Sequence, residues 1–198
     1  MADKEIIGED GKLISERYLD PYRSKLDDVL AEIKSYNLPQ YLKDELEIIA
    51  LRLWSALGDH RFYNRDRHFL LAGQLDDCKA FADLIAKIHH EMGLHKRREL
   101  NCISVSDIFT SDNQYVACHK LYSAIDQSVG GVAFICDING YSEHASYRYA
   151  KDIVHNVIES IPDDLMVIFS AEQDDMDDIL KEDLFLRFIC RIDVEKFV

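Results

Sequence analysis

Three short stretches of this 198-residue chain carry residue types whose order could do phosphate chemistry. "HFLLAGQLDDCKAFADLIAKI", residues 68 to 88, reads as an apolar run, a polar turn opened by Gly73, and a helix with an apolar stripe. That is the layout of a phosphate-binding loop. In such a loop glycines let successive backbone N–H groups converge on the anion, a lysine neutralises charge, and a hydroxyl holds Mg²⁺. "FICD" is an apolar run closed by Asp137, a place from which a carboxylate can hold a metal or an attacking water. "LFLRF" supplies Arg187, permanently charged and bidentate toward phosphate.

Each stretch departs from what the chemistry needs. If Lys79 is the phosphate-loop lysine, Cys78 replaces the preceding glycine and Ala80 the hydroxyl. If the helix "AFADLIA" sets the register, Cys78 replaces the lysine and Lys79 the hydroxyl. Asp76 and Asp77 then face the anion with their own charge. Two unit charges about 4 Å apart interact by roughly 4 kcal/mol at an effective dielectric near 20. A helix N-terminus offers only about 0.3–1 kcal/mol in return. The loop is therefore expected to disfavour a triphosphate, and Asp76 and Asp77 equally suit the first turn of the following helix. In "FICD" the metal position is Cys136, a soft thiol ill matched to an oxygen-seeking cation. Asp137 then stands at the water-activating position, one methylene shorter than glutamate, or simply ends a strand.

Other constellations are weaker. "HHEMGLH" offers His89, His90, Glu91 and His95, but not at the HExxH spacing of a zinc protease, and a solvated helix end is expected. No GxSxG elbow is present. The five cysteines, 78, 102, 118, 136 and 190, include no CxxC pair, and Cys102, Cys136 and Cys190 sit in apolar runs as small buried hydrophobes would. This usage suits a reducing compartment. The formal charge of −14, from 37 acidic against 23 basic residues, repels a phosphate backbone and argues against a nucleic-acid partner. A basic or neutral protein surface fits better. No membrane partner is expected, because no segment approaches about 18 apolar residues. The N-terminus lacks the charged and apolar regions of a leader, so a cytoplasmic protein is expected.

The elements that must position these residues follow from periodicity. Residues 1–22 are polar and read as a loose lead-in, and residues 23–198 as one domain, which at this length buries roughly 70% of its unfolded surface. "SKLDDVLAEIKSY" places Leu26, Val29, Leu30 and Ile33 on one helix face, with Ser24 as N-cap. Pro39 ends that helix, and a second carries Leu46, Ile49, Leu53 and Leu57 up to Gly58. Beyond Asn64, apolar runs alternate with amphipathic stretches: "HFLLAG", a helix over 78–92, "NCISVSDI", a helix over 115–128, "GVAFICDI", a helix over 143–159, "DLMVIFSA" and "RFICRIDV". The unalternating runs at 132–136 and 165–169 predict central parallel strands covered on both faces. The expectation is a three-layer α/β domain with a mainly parallel sheet of about five strands after two helices.

From residue 130 onward the chain resembles the CbxX/CfqX branch of the AAA+ ATPases, which includes the rubisco-activase type. The family runs "GGVLFIDEAYSL", a helix, "VVIFAGY", "M" and "GLRSRF". Gly130, Gly131, Val132, Phe134, Ile135, Tyr141 and Ser142 follow the first part, with two extra residues at Asn139 and Gly140. Val167, Ile168, Phe169, Met176, Leu184, Arg187 and Phe188 follow the rest. Upstream, "HFLLAG" is similar to "HMVFTG", "AFADLIAKIHHEMGL" to "TVARLIAKIYYALGV" and "CISVSDI" to "LVEVSRSDL". The family's glycine-threonine loop after the second strand has only Thr110 here, and Leu186 replaces the serine before Arg187.

The resemblance implies a P-loop NTPase-like fold, the large subdomain of an AAA+ protein, with the helical lid absent. It implies an arginine, Arg187, presented to a neighbour's nucleotide, although an ion pair with Asp174 or Asp178 would serve structure instead. With both nucleotide motifs degraded, the expectation is a pseudo-ATPase that acts by protein contacts, with an AAA+ relative as one candidate partner and no ordered hexamer. No cofactor is expected. One alternative is a divergent ATPase using ATP and Mg²⁺ through Lys79 and Asp137, and another is a binding protein for a different small ligand in the same crevice.

Overall fold

Leu26, Val29 and Ile33 recur at three- and four-residue spacing, which brings them to one side of a helix. All three are buried on α1 (Ile14–Ser35). The computed structural model describes residues 14–59, 68–108, 114–136, 164–173 and 190–194. α1 begins inside the segment expected as lead-in, so Ser24 is a mid-helix residue and not an N-cap. α1 stops at Ser35, and Pro39 opens the turn into the next helix. The N–H groups of Leu42 and Lys43 both donate to its carbonyl. α2 (Gln40–Asp59) then returns along α1 with Leu42, Leu46, Ile49 and Leu53 buried.

The sheet contains β1 (Phe69–Gly73), β2 (Leu100–Ser104), β3 (Val132–Cys136), β4 (Met166–Ala171) and β5 (Cys190–Val194) in the order β2-β3-β4-β1-β5. Every pairing is parallel, with Phe134 opposite Ile168, Leu70 opposite Phe169 and Gly73 opposite Val194. Because side chains alternate along a strand, the sheet divides its apolar groups between two cores. Phe69, Leu71, Phe134, Ile168 and Ile192 lie under α1, α2 and α3 (Leu75–Glu91). Leu70, Ala133, Ile135, Val167 and Phe169 pack on the opposite face against Leu121 and Ile125 of α5 (Gln114–Asp126). β3 and β4 are buried at every residue, which is why their sequences show no alternation.

A short helix, α4 (Val105–Ile108), follows β2, its first turn capped by the Ser104 hydroxyl accepting from the Asp107 N–H at 3.3 Å. β2 lies at the edge of the sheet. Cys102 is consequently exposed, against the expectation that its apolar neighbours would bury it, whereas Cys78 and Cys136 are buried. Among the described residues, no helix is long and apolar enough to cross a membrane.

Candidate functional site

In a parallel sheet, ligands bind beyond the carboxyl ends of the strands. Here that end is formed by Gly73, Cys136, Ala171 and Val194. Gly73 has a packing cause. A Cβ at this position would overlap the carbonyl oxygen of Val194, so the close passage of β5 requires glycine whatever the crevice holds.

The polar turn expected after Gly73 is a single residue, Gln74, in extended conformation (φ −64°, ψ 141°) and without a side-chain cap. α3 starts at Leu75 rather than near residue 78, and the Cys78 N–H already donates to the Gln74 carbonyl at 2.9 Å. In either register, the residues that would wrap a phosphate are wound into helix. Their N–H groups lie parallel to one axis instead of converging on a point. Asp76 and Asp77 occupy the first turn, where carboxylates complement the helix dipole. Asp76 is exposed and Asp77 buried. Lys79 is exposed one turn after Asp76, at the i,i+3 spacing that makes helix neighbours.

The two cysteines at motif positions serve the core. Cys78 is fully buried, and burial, reinforced by the charge of Asp77, pushes its thiol up to about 12. It is neither a nucleophile nor a ligand at neutral pH. Cys136 faces the same core as Cys78, and its thiol donates to the Ile103 carbonyl at 3.7 Å. Asp137 and Arg187 lie outside the described residues, as do Asn139, Gly140, Tyr141, Ser142, Thr110, Asp174, Met176, Asp178, Leu184, Leu186 and Phe188. Among the described residues, no group of three or more His, Cys, Asp or Glu side chains could hold a metal ion.

The far end of α3 is more organised than its sequence suggested. α3 closes with Gly93 at φ 84°, its N–H donating to the His90 carbonyl and the Leu94 N–H to the His89 carbonyl, both at 2.9 Å. This is the Schellman arrangement, which needs a residue in the left-handed region and so favours glycine. It folds the chain back and lays His95 on His89, ring centroids 5.4 Å apart and 12° from coplanar. His89 also meets Phe69 edge-on at 6.2 Å. His89 is 0% exposed and His95 5%, so the expected solvated helix end is a packed one. Of these three histidines only His90 keeps partial access, with Nδ1 3.0 Å from the accepting His95 carbonyl. The signal available in the sequence was Gly93 followed by Leu94, the C-terminal stop that returns the chain.

One turn earlier, Lys87 joins α3 to α1. Its ammonium donates to the Glu32 carboxylate, lies 3.8 Å from Glu91 and stands 5.7 Å from the centre of the Tyr36 ring. The hydrogen bond to Lys87 holds the Glu32 carboxyl below its ordinary range, and the same bond raises Lys87. Glu91 moves the other way, because burial and the Glu32 charge outweigh the attraction of Lys87. Burial likewise raises Tyr36. The cluster locks two helices together.

A hollow of about 500 Å³ lies at the opposite end of the sheet, where β2 and β3 begin, lined by Arg97, Glu99, Asn101, Asp126, Ser128 and Val132. The Arg97, Asn101 and Ser128 side chains in it are engaged in structure. The Arg97 guanidinium donates to the Gln127 carbonyl at 2.8 Å, and the Asn101 amide to the Ala124 carbonyl at 3.0 Å and the Ser128 hydroxyl at 2.7 Å. These bonds pin the connection from α5 to β3. None of these residues was singled out from the sequence, although Asn101 inside an apolar strand run was a visible irregularity.

Fold and crevice together define an α/β domain with a helical hairpin, a five-stranded all-parallel sheet, and an acidic helix start where a phosphate loop would stand. No protein-family model matches the sequence, and no curated protein is similar to it. Among solved structures, the crystal structure of the FIGL-1 AAA domain in complex with ADP is similar, with 18% identity over 65% of this chain and a TM-score of 0.44. This chain spans 42% of that one.

Proposed function

We propose that this chain is a catalytically degenerate AAA+-like protein that acts through protein contacts. One observation carries the reading: α3 begins a single residue after β1, with the Cys78 N–H committed to the helix, so the backbone cradle for a triphosphate is missing. The flanking Asp76 and Asp77 add repulsion, and the buried Cys136 removes the metal-holding carboxylate. The fold itself remains usable as a scaffold, because a site can be lost while its architecture persists. In this reading its working mode is regulation of an active AAA+ relative, with Arg187 supplied toward that partner's nucleotide.

The purified chain is expected to hydrolyse ATP no faster than a buffer blank, with Lys79→Ala unchanged. Turnover abolished by Lys79→Ala would overturn the reading. With a host AAA+ enzyme, a change in its ATPase rate caused by the wild-type chain and lost in Arg187→Ala would support action in trans.

A further inference from the structure

The two edges of the sheet are built differently. β5 carries Arg191 and Asp193 on one face, with the guanidinium donating to the Asp193 carboxylate at 2.8 Å. Charged side chains on an edge strand discourage a further strand from pairing with it. β2, at the other edge, reads "LNCIS" and has neither a charge nor a proline. Among the described residues it pairs with β3 alone, and its middle residue, Cys102, is exposed. A strand so placed presents backbone N–H and C=O groups along its outer side, which is a template for another strand.

The surroundings of β2 choose the occupant. The Asn101 amide is bonded to Ala124 and Ser128 and Ile103 is buried, so of residues 100–103 Cys102 alone is exposed. Strand addition from an unrelated protein takes its specificity from pockets for alternate side chains, and this edge offers little to read. A second copy needs only a register in which charges do not collide. Lys96, Arg97 and Arg98 stand exposed just before β2 and are the one run of three consecutive basic residues in the chain. Arg97 also donates to the Gln127 carbonyl and Arg98 feels the charge of Glu91, and both stay charged. A parallel copy would set the two runs side by side, about 5 Å apart. An antiparallel copy centred on Cys102 carries them to opposite ends. The two Arg98 are then eight residues of strand apart, about 26 Å at 3.3 Å per residue, well beyond the screening length of about 8 Å at physiological salt. Of the two described edges β2 alone is uncharged, so pairing β2 with β2 uses it up and closes the assembly at two copies.

We infer that β2 is a self-pairing edge through which two copies of this chain join antiparallel about Cys102, forming one continuous sheet, independently of what the crevice holds. A five-residue strand pair buries far less than the roughly 800 Å² per partner of stable complexes. The dimer is therefore weak and concentration-dependent.

Residues directly opposite in an antiparallel pair lie about 4.5 or about 5.5 Å apart at Cα, both inside the roughly 4.4–6.8 Å that a disulfide spans. Air oxidation of the full chain with copper phenanthroline, mapped by mass spectrometry, is expected to link Cys102 to its copy. The rate should be about tenfold or more above that of Ala31→Cys, an exposed α1 position, in a Cys102→Ser background. Under reducing conditions, sedimentation equilibrium from about 1 to about 500 µM is expected to show monomer giving way to dimer for wild type and for Cys102→Ser alike, because backbone bonds make the pairing. Cys102→Lys puts like charges opposite each other and is expected to weaken association about fivefold, with circular dichroism unchanged. A wild type that stays monomeric under reduction overturns the proposal and leaves the edge to a strand of another protein. So does Cys102→Lys associating as tightly as wild type, or Cys102 cross-linking no faster than the α1 control.

Discussion

At its N-terminal end α3 carries Gln74, Asp76, Asp77 and Lys79 beside a glycine, an assortment that resembles a ligand site, yet the backbone there is plain helix. At its C-terminal end the chain reads as polar and solvated, yet His89, His95, Lys87 and Glu91 are assembled into stacked and ion-paired contacts. The difference lies in the path of the backbone. A one-residue turn leaves no room for N–H groups to converge on an anion, whereas the left-handed Gly93 turns the chain back so that distant side chains meet. Residue types suggest a site, and the turn between elements decides whether one forms.

The contrast can be broken from either end. The largest effect is expected from Gly73→Val, because the new side chain would meet the backbone of β5 rather than a movable side chain. A loss of about 3–5 kcal/mol in denaturant unfolding is expected, at or above the usual range for overpacking. A loss under about 1 kcal/mol would mean that β1 and β5 do not sit in the described register. Next, His89→Ala removes a fully buried ring and should cost about 2–4 kcal/mol by the logic of large-to-small core substitutions. A cost near zero would return His89 to solvent and erase the contrast.

A smaller effect belongs to Lys87→Met, about 0.5 kcal/mol at neutral pH, since the Glu32 side chain is 35% exposed and solvent screens the pair. Glu32 titrates below its ordinary 4.5, so its contribution is complete above that value and is lost as pH falls through the lowered one. Lys87 titrates above its ordinary 10.5, so its contribution is complete below that value and is lost as pH rises through the raised one. The stability difference between wild type and Lys87→Met should therefore be flat at neutral pH and shrink once pH falls below 4.5 toward the lowered Glu32 value or rises above 10.5 toward the raised Lys87 value. A difference unchanged at pH 3 would show that the methylenes of Lys87, not its charge, hold α1 to α3.

Much of the fold was legible because its cause is local. The apolar runs at 132–136 and 165–169 named two of the three interior strands, and the stripes through Ile33 and Leu46 named the first two helices. The start of α3 was misplaced for an equally local reason: "QLDDCK" has turn-like polarity, but acids in a first turn stabilise helix, and the signals conflict. Cys102 looked buried by its neighbours in sequence and is exposed by its place at the sheet edge, which depends on strand order. The Lys87–Glu32 pair spans 55 positions and leaves no mark in a single sequence. Of the crevice, the absent cradle and the buried Cys136 belong to the described residues, while Asp137 and Arg187 do not.

The central claim, that helix has replaced the phosphate cradle at Gln74 to Lys79, is tested most directly by calorimetric titration of the full chain with ATP, with and without Mg²⁺. No binding tighter than about millimolar is expected, whether or not the metal is present. Micromolar binding that is lost in Lys79→Ala would contradict it.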